Sequence, residues 1–80
     1  MKIATGAQIR AARNALAWSI DRLADESGVS ARTIIRYEDK DGLPQTRAGV
    51  LERLVFSLEN AGIEFIGTPD DAPGIRIHQR

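Results

Sequence analysis

The chain has 80 residues, no cysteine, and eleven basic against eleven acidic side chains, so its formal net charge is zero. A chain this short makes one small domain (1–80) that buries about 60% of its unfolded surface, with no room for a separate substrate domain. The lack of cysteine excludes a disulfide framework and a thiolate metal site. No apolar run approaches a membrane span and the opening MKIATGAQIR lacks a signal-peptide core, so a reducing cytoplasm is the expected setting.

In chain order, Thr5 and Gln8 read T-x-x-Q, a capping box, and Ile9, Ala12 and Leu16 then share one helical face. Ser19 can cap a second helix, with Trp18 and Leu23 as a hydrophobic staple, and Gly28 stands where that helix must stop in a left-handed conformation. Ser30 repeats the cap, with Val29 and Ile34 as its staple. Leu23 and Ala24 on one helix, and Ile34 and Tyr37 on the next, supply apolar faces that would fix the angle between them. Two short capped helices parted by a glycine are the pattern of a helix-turn-helix, and also of any helical hairpin in a small α domain.

Asp39 to Pro44 reads as a loop, because Gly42 and Pro44 break helix and EDKD has nothing apolar to bury. Thr46 can cap a fourth helix in which Leu51, Leu54, Val55 and Leu58 form a stripe, ended by Gly62. Beyond Gly62 the period changes to two. Ile63 and Phe65, then Ile75 and Ile77, alternate with polar residues on either side of GTPDDAPG, which predicts a short β-hairpin. Phe56 points away from the stripe of the fourth helix, so it either packs under this hairpin or meets a second subunit. The expected fold is therefore mainly α: four helices (5–62) with a C-terminal β-hairpin (63–80).

Charge is unevenly distributed along the chain. Residues 1–36 carry six basic against three acidic side chains, a balance of +3, and residues 37–80 carry five against eight, a balance of −3. Such polarity can steer one face toward phosphate. An enzyme is not supported by the inventory: His78 is the single histidine, no H-E-x-x-H spacing exists, and Asp70 and Asp71 read as turn residues rather than calcium ligands. No cofactor or metal is expected.

The order of Ile9, Leu16, Trp18, Ser19, Leu23, Ala24, Gly28, Val29, Ser30, Thr33, Ile34 and Glu38 resembles the lambda-repressor and Cro-like (XRE-type) regulators of bacteria and phage, over roughly Thr5 to Gly62. The resemblance implies a four-helix DNA-binding domain that reads a double-stranded operator in the major groove with helix 31–38. Positions one, two and six of that helix, Ala31, Arg32 and Arg36, are then the base-reading residues. Arg32 can give guanine O6 and N7 two hydrogen bonds, and Ala31 can at most touch a thymine methyl. Ser19, Ser30 and Thr33 at helix N-termini, with Lys40 and Arg47 around the following loop, are the implied phosphate contacts. Relatives usually carry glutamine after the Ser19 position, where this chain has Ile20. Arg13 and Glu38 align with a structural ion pair of the family. A homodimer acting as a repressor is the implied form, joined through residues 50–80 with Phe56, Phe65, Ile75 and Ile77 as interface candidates. A protein-interaction module of the antitoxin or anti-activator kind, on the same fold and with DNA binding secondary, is the competing reading. The exposed-looking Ile35 and the acidic second half support it.

Overall fold

The computed structural model describes residues 4–39 and 49–78. Thr46, Lys40 and Arg47 lie outside them. Among the described residues the elements run α1 (Gly6–Ala15), α2 (Ile20–Ser27), α3 (Ala31–Glu38), α4 (Val50–Asn60), β1 (Ile63–Thr68) and β2 (Asp71–Ile77), a mainly helical domain closed by one antiparallel hairpin.

Local capping decides where the first three helices begin. Thr5 Oγ1 accepts the Gln8 amide at 3.1 Å while Gln8 Oε1 accepts the Thr5 amide at 2.8 Å, so the capping box is complete. Ser19 accepts the Arg22 amide and Ser30 the Thr33 amide, each satisfying one of the donors that a helix start leaves open. Gly28 ends α2 at φ +74°, a conformation that costs glycine nothing. The fourth helix differs from the expectation of a cap at Thr46. It opens at Val50 behind Gly49, whose φ is +90° and which has no side chain to cap with.

The core takes residues from every element. Ile9 and Ala12 of α1, Leu23 of α2, Ile34 and Tyr37 of α3, Leu54, Val55 and Leu58 of α4, and Ile63 and Phe65 of β1 are all buried together, and Ile75 of β2 packs against them. α2 packs on α3 and α4, α1 bridges α3, α4 and β2, and β1 lies against α4.

The hairpin is thus part of the core, which corrects the expectation for Phe65. Strand alternation turns Phe65 inward onto the helices, leaving it 3% exposed and unavailable to a second subunit. Ile75, its cross-strand partner, is half-buried on the same face. Phe56 and Ile77, by contrast, are 66% and 56% exposed. Phe56 does not pack under the hairpin.

The turn is also tighter than GTPDDAPG suggests. Thr68 pairs with Asp71, so only Pro69 and Asp70 connect the strands, and pairing continues through Ile66 opposite Gly74. Between these pairs one residue, Gly67, faces two, Ala72 and Pro73, which is a β-bulge. Proline is tolerated there because a bulge leaves ladder positions unpaired. Gly67 has φ +74°, and a Cβ on it would fall 2.3 Å from the Ala72 carbonyl oxygen. Gln8 secures the hairpin from the other side: its buried Nε2 donates to Ile66 O at 3.1 Å and to Gly74 O at 2.8 Å.

Candidate nucleic-acid interface

The two faces of α3 have opposite fates. Ile34, Tyr37 and Glu38 point into the domain, while Arg32, Ile35 and Arg36 are exposed. Neither Arg32 nor Arg36 has an ion-pair or hydrogen-bond partner among the described residues. This distinguishes them from Arg10, Arg13 and Arg22 of the first two helices, all of which are engaged within the domain. Ala31 and Thr33 lie on the flanks, half-buried.

A polar lock behind α3 holds it in place. Arg13 Nε donates to Glu38 Oε2 at 2.7 Å and its NH2 group donates to Glu38 Oε1 at 2.8 Å, a bidentate pair whose side chains are only 14% and 7% exposed. The third arm of the same guanidinium donates to Trp18 O at 2.8 Å, tying α1 to the turn before α2. The hydrogen bond to Glu38 pushes the Arg13 guanidinium above its ordinary range, burial opposes this, and the Glu38 charge adds to the rise. Arg10, which nothing in the sequence pattern singled out, donates to the Glu38 carbonyl and so caps the C-terminal end of α3. One residue at the end of α3 is therefore gripped through its backbone and its carboxylate by two arginines of α1.

At the other end of α3, Ser30 is exposed, and its hydroxyl donates to Thr33 Oγ1 at 2.9 Å. The amides of Ala31 and Arg32 precede the first intrahelical bond and stand beside it, leaving donors for an anion. Ser19 is likewise exposed at the start of α2, but Asp21 sits in that first turn. Arg22 is engaged elsewhere: its Nε meets Glu26 at 2.9 Å and its guanidinium lies 4.8 Å from the Trp18 ring centroid. Ile20, in place of the family's glutamine, packs half-buried against the core rather than reaching outward.

Phe56 borders a shallow pocket with Glu26, Ser27, Arg53, Ser57 and Asn60, between α2 and α4. No helix among the described residues is long and apolar enough to cross a membrane.

Comparison with known proteins agrees with this geometry. A helix-turn-helix family model, HTH_3, matches residues 9–48, from the first core residue of α1 to beyond α3. A search of curated proteins finds no match. The matched half of the chain contains both capped helices, the Gly28 stop and the Arg13–Glu38 lock. The chain belongs to the XRE-type helix-turn-helix family of DNA-binding transcriptional regulators.

Proposed function

We propose that the protein binds a double-stranded operator as a homodimer and represses transcription there, with α3 in the major groove and Arg32 and Arg36 on base edges. The observation that carries this reading is the pair of unpartnered guanidinium groups on the outer face of a helix whose inner face is locked by Arg13 and Arg10. An unengaged guanidinium can give its fork of donors to guanine, and a fixed helix positions that fork before binding. Backbone phosphates are met by the start of α3 at Ser30 and Thr33, by Ser19, and by Lys40 and Arg47. Asp21 and Asp25 on the exposed side of α2 oppose phosphate, so α3 carries most of the affinity.

Size supports a dimer. The described residues span 30 × 28 × 20 Å, enough for one half-site, whereas half-sites in this mode of reading lie about 34 Å apart. With Phe65 in the core and Ile75 half-covered, Phe56 and Ile77 remain as the apolar candidates for pairing.

The test is titration of the intact protein with duplexes from its own promoter region and with an unrelated duplex, at several salt concentrations. Preference for the promoter fragment, with affinity falling steeply with salt, is the expected result. Equal, salt-insensitive binding of both duplexes would favour the protein-interaction reading, for which the 66% exposed Phe56 beside the α2–α4 pocket is the specific support.

A further inference from the structure

The outer face of α3 has a substructure that the two arginines alone do not describe. Residues four apart on a helix stand nearly in line, at about 100° per residue. Arg32 and Arg36 therefore form one column, and Ala31 and Ile35 form a second, apolar column directly beside it. Ile35 is 55% exposed, while the domain's core takes Ile34 and Tyr37, which lie about 100° and 160° around the helix from it. Ala31 is half-buried and closes the base of the apolar column. Ile35 is thus an exposed aliphatic side chain on the same outer face as two guanidinium groups that have no partner among the described residues.

Resting on the groove-reading function proposed above, we infer that Ile35 is a specificity-determining residue that seats a thymine C5-methyl group next to the guanine read by the arginine column. The chemistry of the major groove fits both columns. Guanine offers two acceptors to a guanidinium, and thymine offers the one apolar group that the base edges present there. A cationic column and an apolar column side by side thus select a G·C pair next to a T·A pair. Cytosine or uracil in place of the thymine would leave Ile35 facing polar edges or water.

The experiment starts from a randomised duplex pool enriched on the intact protein. The expected half-site contains a guanine whose loss abolishes the preference of the wild type, with a thymine beside it. Replacing that thymine by deoxyuridine removes only the methyl group, and should weaken wild-type binding about fourfold per half-site, from about 0.8 kcal/mol per buried apolar carbon. Ile35→Ala should bind the thymine and deoxyuridine duplexes equally while keeping its guanine preference and its thermal stability. The inference is overturned if no deoxyuridine swap in the enriched site weakens the wild type while guanine changes still do. It is equally overturned if Ile35→Ala keeps the full methyl dependence. Failure to enrich any sequence would overturn the groove-reading function itself, and the inference with it.

Discussion

Arg13→Ala tests whether α3 is held by a buried charge pair. The substitution removes two charge-assisted hydrogen bonds to Glu38 and a third to Trp18 O, and leaves a carboxylate that is only 7% exposed without its bidentate partner. Removing one partner of a buried pair costs about 3–5 kcal/mol, most of it the penalty of the stranded charge. Since the Arg13 side chain is 14% exposed, some water can enter the vacated space, so the low end of about 3 kcal/mol is expected. For a domain of this size each kcal/mol moves Tm by about 4–8 °C, which gives a fall of about 12–24 °C. Urea unfolding followed by circular dichroism and by Trp18 fluorescence measures it. Trp18 is the single tryptophan and its carbonyl is one of Arg13's acceptors, so the probe reports from the perturbed spot. A combined Arg13→Met and Glu38→Leu variant should recover much of the loss, because it removes both charges together. An Arg13→Ala variant within about 0.5 kcal/mol of wild type, the ordinary range for surface changes, would refute the argument. The pH dependence has a definite sign. Because the folded protein raises the Arg13 pKa, its contribution is complete below the unfolded value and is lost only as pH climbs through the folded one, in strongly alkaline solution.

Four further outcomes are expected. Gln8→Leu should destabilise the fold by about 3 kcal/mol, since the Thr5 amide and the Ile66 and Gly74 carbonyls each lose a bond, and hydrogen exchange should quicken throughout the hairpin. Gly67→Ala should cost more than about 1 kcal/mol in urea unfolding, as the new Cβ meets the Ala72 carbonyl and φ is positive. Arg32→Ala should lose about 1–3 kcal/mol of discrimination between operator and scrambled duplex with Tm unchanged; an undiminished preference would remove Arg32 from the reading head. Phe56→Glu should convert a dimer to a monomer in sedimentation while keeping the helical circular-dichroism spectrum, and an unchanged sedimentation coefficient in a protein that is dimeric would place the interface elsewhere.

Sequence and structure agree best where the physics is local. Thr5, Ser19, Ser30 and Gly28 each act on amides within a few residues, so their roles were legible from spacing alone. The exposed pair on α3 was legible only through the resemblance, because a helical pattern by itself does not say which solvent-facing arginines lack partners. Arg10, the Gln8 bonds to the hairpin and the burial of Phe65 were not legible. Each depends on which segments meet across the fold, and a T-x-x-Q motif is complete as a cap without using Nε2 at all. The overextended hairpin loop has the same origin: turn-forming residues signal a reversal but not the bulge that lets pairing run through them.

The Gln8 clamp also bears on how the protein is made. Its donor and its acceptor on Gly74 lie 66 residues apart in sequence. Translation proceeds from the N-terminus at about 5–20 residues per second, so α1, α2 and α3 are synthesised before the strand that Gln8 holds. In that interval the side of α1 that β2 covers, and the place that Ile75 takes against the core, are open. A product cut short before β2 contains both capped helices and the arginines of α3, yet lacks the strand that packs on α1 and one of the two acceptors of Gln8.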